Sequence, residues 1–387
     1  MHFTTGKTRA MTHNIPDESG RDPVGVACEL NDAAVESFHA GRADEAEELF
    51  RRALRLLEES EGEDSPDVAN VLSSLGAVGE QRCDYAGAEA TYARAAAIMD
   101  AHADTDDEDV RRLRLQTLSD LGRIRRVLGR YEEAEPLIKR SVAIAEEFFG
   151  PDSLETAGAL NDLGMLYKFN GRFDEAEPLY HRALSILERA LGPEAVALAS
   201  IYHNLGGLEH ARGRHAAGEP HARRSVELRE KAYGPEHTDV AADVAALAAL
   251  LDGQEKFEES EPLYRRALAI FEREYGPDHY EVAVNLNNLA MVLDARGETE
   301  EAESLLTRAL AIKERLFGAE NVEWAMTANN LGVLYREQGR RAEAEQLLTR
   351  ALAAFERSLS DDHPNLAACR DNLAALQRAG ADATAER

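Results

Sequence analysis

At 387 residues the chain exceeds the roughly 100–200 residues of one ordinary domain, a limit that repeat arrays escape because each repeat touches only its neighbours. Hydrophobic residues make up 44% of it but aromatics only 6%, so alanine and leucine carry much of the apolar content, which suits closely packed helices better than a β-sandwich. A net charge of -28, from 72 acids against 44 bases, argues against general binding to nucleic acid or anionic membranes, both of which call for a basic surface.

From the N-terminus, residues 1–24 are polar, with Gly, Pro and Asp, and are expected to form a disordered tail. They contain no apolar stretch of the kind a secretory signal needs, and Met11 offers an alternative start. Cys28, Cys83 and Cys369 are odd in number and far apart, which points away from a disulfide framework or a CxxC metal site and towards a reducing cytoplasm. No apolar run approaches the roughly 18 residues of a membrane span.

From about residue 25 a repeat takes over. Glycines at 129, 171, 213, 297 and 339 step by 42 or its double, and Glu255 stands at the missing place. A second series, Gly150, Gly192, Gly234, Gly276 and Gly318, has the same step. Between them the pattern is helical. In 154–170, Leu160, Leu163, Gly164 and Tyr167 form an amphipathic stripe, here called helix A, which Gly171 ends. Phe173, Ala176, Tyr180, Ala183, Leu184 and Leu187 form the stripe of helix B, which Gly192-Pro193-Glu194 ends. Ala46, Ala88, Ala134, Ala176, Ala302 and Ala344 share one place in helix B, and Gly76, Gly122, Gly164, Gly206 and Gly332 share one in helix A. Small residues at fixed places mark where paired helices touch. Pro136, Pro178, Pro220 and Pro262 fall early in helix B, where a missing amide is tolerable and a bend is expected.

Leu163-Gly164, Tyr167, Gly171, Ala176, Tyr180 and Ala183 resemble the tetratricopeptide pattern of large and small residues. The 42-residue period, with the run GRFDEAEPLYHRALSILERALGPE, is similar to the kinesin-light-chain type of that repeat common in bacterial proteins. The resemblance covers roughly 25–380. It implies an all-α, right-handed superhelical solenoid of antiparallel helix pairs, with helix A residues lining a concave groove that takes peptides or partner proteins. Eight repeats are expected, at 25–62, 66–106, 108–150, 153–192, 195–234, 238–276, 280–318 and 321–360, followed by a capping helix at 364–379 and a disordered tail at 381–387.

Aligned helix A positions supply the candidate groove. One reads Asn31, Ser73, Ser119, Asn161, His203, Ala245, Asn287, Asn329 and Asp371. An asparagine amide both donates and accepts, so it can pair with an extended peptide backbone of any sequence; alternatively these side chains bind neighbouring helices or water. One turn on stand Arg123, Met165, Gly207, Ala249, Met291 and Val333, and beyond them Arg126, Lys168, His210, Asp252, Asp294 and Arg336. Repeats three to five are thus locally basic. Arg123 and Arg126 can clamp a ligand carboxylate or pair with glutamates of adjacent helices. Met165 and Met291 can form an adaptable apolar floor or belong to the core. Ala242, Ala245 and Ala249 leave repeat six without polar groove residues, as a pocket for an apolar side chain or a gap in binding.

Repeat five departs most. His215, Gly218 and Ala222 replace Phe173, Ala176 and Tyr180, which leaves volume to be filled and suggests a flexible joint or a partner contact. His203, His210, His215 and His221 cluster there without acids or cysteines at metal-ligand spacing. No phosphate loop, GxSxG elbow, HExxH or dinucleotide fingerprint is present, and the recurring GPDH-type loops are turns. The sequence therefore points to a cytoplasmic, non-enzymatic scaffold without cofactor or metal. Its expected ligand is a protein or extended peptide, held at Asn161, His203, Asn287 and Asn329, with Arg123, Arg126 and Lys168 reading an acidic group and Met165, His210, Met291 and Arg336 beside them. The alternatives are a regulatory sensor for a small peptide signal acting on a separately encoded partner, an enzyme built on a helical-repeat scaffold, and a self-associating array.

Overall fold

The computed structural model describes residues 22–359, 361 and 363–385. Seventeen helices and no strand occur among them. In chain order they pair as α1 (Pro23–His39) with α2 (Ala43–Glu61), α3 (Pro66–Gln81) with α4 (Tyr85–Ala101), and α5 (Glu108–Val127) with α6 (Tyr131–Ile144). Residues Ala145–Phe149 continue α6 as a widened π turn. Then come α7 (Leu154–Phe169) with α8 (Phe173–Leu191), α9 (Leu198–Ala211) with α10 (His215–Tyr233), and α11 (Thr238–Asp252) with α12 (Phe257–Tyr275). Last are α13 (Tyr280–Ala295) with α14 (Thr299–Phe317), α15 (Val322–Glu337) with α16 (Arg341–Ser358), and α17 (Pro364–Ala385).

Two ends of the expected outline differ. α1 begins at Pro23, inside the expected tail, with Asp22 capping it by accepting from the Gly25 amide. α17 runs to Ala385, so residues 381–385 continue the last helix and are not the expected disordered tail. The rest of that expected disorder, at 1–21 and 386–387, lies outside the described residues.

The chain forms two compact parts, divided between Thr117 and Leu118 within α5. In the first, Leu30, Phe50, Leu57, Leu72 and Met99 fill the core. In the second, Leu160, Tyr167, Tyr180 and Ile201 begin a core that continues through Tyr264, Leu289 and Leu306 to Trp324 and Phe355. Successive A helices of this part (α7, α9, α11, α13, α15, α17) touch one another, whereas successive B helices make no comparable contact. The A layer is therefore the narrower one, and its open face is the concave side.

The recurring residues have local causes. Gly171, Gly213, Gly297 and Gly339 take left-handed φ at the A-to-B turn; Glu255, and also Cys83, adopt it with φ 59° despite carrying a side chain. The histidine of the recurring loop is a helix cap: Nδ1 of His237, His279 and His363 accepts from the amide two residues on, at 3.1, 3.2 and 3.2 Å. Pro136, Pro178, Pro220 and Pro262 lie inside the B helices, past the first turn and on the exposed side, where a lost amide bond faces water.

Ion pairs tie each repeat to the next. The residue before helix B reaches back to the preceding B helix as Arg172 to Glu135 (2.7 Å), Lys256 to Glu219 (3.0 Å) and Arg340 to Glu303 (2.6 Å). Near the end of helix B, Arg189, Lys231, Arg273 and Arg315 reach the acid of the preceding loop at Asp152, Glu194, Glu236 and Asp278. Most of these pairs are exposed and individually weak, at about 0–1 kcal/mol, so the series sets register more than stability.

Repeat five packs this place differently from repeat four. In repeat four a Cβ on Gly164 would lie 2.7 Å from the Tyr180 ring, so glycine makes room for tyrosine. In repeat five Gly206 faces Ala222 and the Gly218 carbonyl oxygen, at 3.4–3.5 Å. A Cβ on Gly218 would meet Leu250 of α11 at 2.6 Å and the Gly206 carbonyl oxygen at 2.9 Å. Leu250 is fully buried against this place, so aliphatic residues of the following helix pack where repeat four has its aromatic ring.

Candidate functional site

The asparagines of the A helices form a ladder from one helix to the next. Asn161 Oδ1 accepts from Asn204 Nδ2 at 2.7 Å, Asn287 from Asn330 at 3.1 Å, and Asn329 from Asn372 at 3.0 Å. Each bond joins one A helix to the following one, always 43 residues on. The second asparagine series, Asn204, Asn330 and Asn372, escaped the sequence reading, although it stands directly after the first position in later repeats. Of the two readings for Asn161, Asn287 and Asn329, the structure supplies the neighbouring-helix one. One carbonyl lone pair of each is used, and the Asn161 and Asn287 amides lean on Met165 Sδ and Asn288 Oδ1 of their own helices.

His203 departs from the ladder. Its Nδ1 lies 2.8 Å from Asp243 Oδ1, a fully buried carboxylate that also accepts from Arg229 at 3.1 Å. Arg229 reaches Ser200 at 2.9 Å, so one network joins α9, α10 and α11. His210 instead packs edge-on against His215, 5.1 Å between ring centroids, and His221 stacks on Tyr202. The four histidines of the sequence cluster therefore divide among three environments. Among the described residues no group of three or more His, Cys, Asp or Glu is placed to hold a metal ion.

The basic positions behave differently. Arg123 donates to Asp120 on its own helix at 2.9 Å. Arg123, Arg126, Asp162, Met165 and Ile138 line one small recess between α5, α6 and α7. Arg126 lies 4.7 Å above the Phe169 ring and Lys168 Nζ 4.9 Å from it. Phe169 is 43% exposed, so both contacts lie at the surface of the groove. Gly207 on α9 leaves room for the lysine, since a Cβ there would sit 3.1 Å from Nζ. Among the described residues neither Arg126 nor Lys168 has a carboxylate in ion-pair contact, although the second part of the chain is laced with such pairs.

Enclosure by the surrounding helices shows in the titration of this cluster. Desolvation, helped by the Arg126 charge, pushes the Lys168 ammonium down to about 8. Arg126 is lowered by desolvation and then by Arg123. Desolvation holds the Asp162 carboxyl up at about 6, against the opposing pull of Arg123 and Arg126. His210, the next residue of the same series, is lowered by desolvation, His215 and Lys168.

Further along the concave face the sign changes. Asp252 and Asp294 hold the equivalent place on α11 and α13. Asp252 is raised by desolvation, with His215 opposing, and Asp294 by desolvation and Glu337. Arg336 ends the series, contacting Asn372 and Glu337 at 3.5 and 3.1 Å. Met165 and Met291 are half-buried, and Ala242, Ala245 and Ala249 likewise show partly on this face. Thus the structure brings Arg123, Arg126, Met165 and Lys168 together, joins His210 to them, and leaves Asn287, Met291, Asn329 and Arg336 in a separate stretch beyond α11.

Antiparallel helix pairs repeated at one period, with a continuous face of aligned A helices, define a helical-repeat scaffold. The chain belongs to the tetratricopeptide repeat family: a tetratricopeptide repeat model matches residues 30–101, 113–189, 155–231, 197–258 and 241–315, and a second such model matches 324–365. Among solved structures it is similar to BtubC (BKLC) from P. vanneervenii, at 26% identity, covering 60% of this chain and 94% of that one with a TM-score of 0.47. It is also similar to the apo form of RapI, at 14% identity, 75% and 98% coverage and a TM-score of 0.56. A Rap protein complexed with competence and sporulation factor matches at 13% identity, 93% and 99% coverage and a TM-score of 0.54. The Rap likenesses establish the shared fold. No curated protein matches the sequence. No helix among the described residues is long and apolar enough to cross a membrane.

Proposed function

We propose that this protein is a non-enzymatic scaffold that holds an extended segment of a partner protein along the concave face of its A helices. The observation that carries the reading is the cluster of Arg126 and Lys168 around the exposed Phe169 ring. Two half-buried cations without a carboxylate in ion-pair contact, with Asp162 the one acid lining the recess beside Arg126, retain capacity for an acidic group on a ligand. Arg123, already paired to Asp120, shapes the recess, and Met165 supplies its adaptable wall. The asparagine ladder sets the spacing of the A helices and keeps part of its amide capacity for a ligand backbone.

Arg126→Ala combined with Lys168→Ala is expected to weaken partner binding about tenfold or more, each lost charge-assisted hydrogen bond contributing about 1.5–3 kcal/mol. The helical circular dichroism should stay at the native level. Titration of a partner co-purified with the intact chain measures it, and unchanged affinity would remove the cationic cluster from the interface.

A second reading is a sensor whose bound signal alters the A-helix spacing and so the display of a surface to a separate partner. The full-length likeness to a Rap protein solved with competence and sporulation factor favours keeping it. Small-angle scattering with and without ligand separates the two: a scaffold keeps one profile, a sensor changes it.

A further inference from the structure

The enclosed charges of the concave face are sorted along it. One position, repeated every 42 residues, reads Arg126, Lys168, His210, Asp252, Asp294, Arg336. On α5 and α7 it is cationic, and the two cations flank an exposed aromatic ring. On α9 it is a histidine turned to His215. On α11 and α13 it is anionic, and neither Asp252 nor Asp294 is in ion-pair contact with a lysine or arginine among the described residues. His215 is the basic group that faces Asp252, and Glu337 and Thr299 are the groups that face Asp294.

These opposite charges do not neutralise one another, because α7 and α11 are separated by α9. Packed helices lie about 8–10 Å apart, so that separation is roughly 20 Å. At this distance, partly screened, the attraction between lysine and aspartate is slight. Between the two charge groups lies α9, which carries His210 and Gly207, while the half-buried Ala242, Ala245 and Ala249 lie on α11 itself, on the stripe that ends at Asp252. The groove therefore has a cationic aromatic station and an anionic station separated by the width of α9.

We infer that the groove's occupant is a charge-segregated peptide segment, acidic where it crosses α5 and α7 and basic where it crosses α11 and α13. Extended chain advances about 3.3 Å per residue, so roughly six residues separate its acidic and basic anchors. A uniformly acidic segment would meet Asp252 and Asp294 as like charges, and a nucleic acid would meet them along its whole backbone. The inference rests on the groove reading above and adds the second anchor, its sign and its distance.

Selection of a phage-displayed random dodecapeptide library on the full-length chain tests it. Enriched peptides are expected to carry an acidic cluster and a basic cluster about six residues apart, at the extended-chain rise. Repeating the selection on Asp252→Asn with Asp294→Asn should abolish the basic cluster and keep the acidic one. Arg126→Gln with Lys168→Gln should do the reverse. Each double variant should weaken the peptides selected on the native chain by about tenfold, from the loss of charge-assisted hydrogen bonds. Enrichment of acidic peptides without a basic cluster, unaffected by the aspartate variants, overturns this inference and leaves the groove reading intact. Enrichment that ignores all four charges, or no enrichment at all, overturns both.

Discussion

Repeats four and five solve one packing problem in two ways. In repeat four, α7 and α8 keep their distance because Tyr180, fully buried, fills the gap left open by Gly164. In repeat five, Ala222 and Gly218 stand in the places of Tyr180 and Ala176, and Leu250 of the following A helix packs against them. Both cores draw on the next repeat: Tyr180 shares a cluster with Ile201, Leu205 and Leu208 of α9, and Ala222 with Leu247, Leu250 and Leu251 of α11. The Asp243 network, which joins α9, α10 and α11 through His203 and Arg229, adds a polar link to the second. One template thus fills the place with an aromatic ring in one repeat and with aliphatic residues of the next helix in the other, and the second lies where the concave face passes from cationic to anionic.

The largest effect expected from breaking this contrast is at Tyr180. Tyr180→Ala reproduces the composition of repeat five at this place, and should destabilise repeats three to five by about 3–5 kcal/mol through the cavity it leaves. Hydrogen exchange resolved by repeat measures this, and an unchanged protection pattern would mean that neighbouring side chains can fill the place of the ring. Gly218→Ala should cost less, about 1–3 kcal/mol by overpacking, because the added carbon meets the Gly206 carbonyl oxygen as well as Leu250. Its signature is loss of protection in α9, α10 and α11 together; loss confined to α10 would show that Leu250 does not couple α11 to this repeat.

The smallest effect is in pH, and it separates Lys168 from its counterpart His210. The folded Lys168 value of about 8 lies below its ordinary 10.5, so the unfolded chain binds more protons between these values. Stability attributable to Lys168 therefore rises as pH rises through that window. His210 is lowered from 6.5, so its contribution is intact above that value and lost as pH falls through it. Comparing native chain with Lys168→Met and with His210→Gln in denaturant titrations across pH isolates each term. Lys168→Met that leaves the alkaline limb unchanged would show that the ammonium is not enclosed.

Much of the fold was legible because its causes are local. Period, helix breaks and small-residue contacts follow from residues within about one repeat, and Glu255 was identifiable as a glycine substitute by place alone. The caps formed by His237, His279 and His363 were legible only as turns, since a capping role depends on where the ring nitrogen points. In the candidate site, the series through Arg126, Lys168 and His210 was visible by alignment. The ladder partners Asn204, Asn330 and Asn372 were in plain view but unpaired, because a bond across 43 residues needs the stagger between successive A helices.

By itself the sequence determined the repeat, its helical class and its tetratricopeptide family, because a 42-residue periodicity of large and small residues admits few other packings. Tertiary structure decided which charges are satisfied and which are not. Arg172 and Arg126 are both arginines of adjoining repeats, yet one meets Glu135 at 2.7 Å and the other meets a phenylalanine face. It likewise decided that the small residues of repeat five face Leu250 of the following helix. Both outcomes turn on distances between repeats, which are set by packing across the array and are not encoded in the pattern of any one repeat.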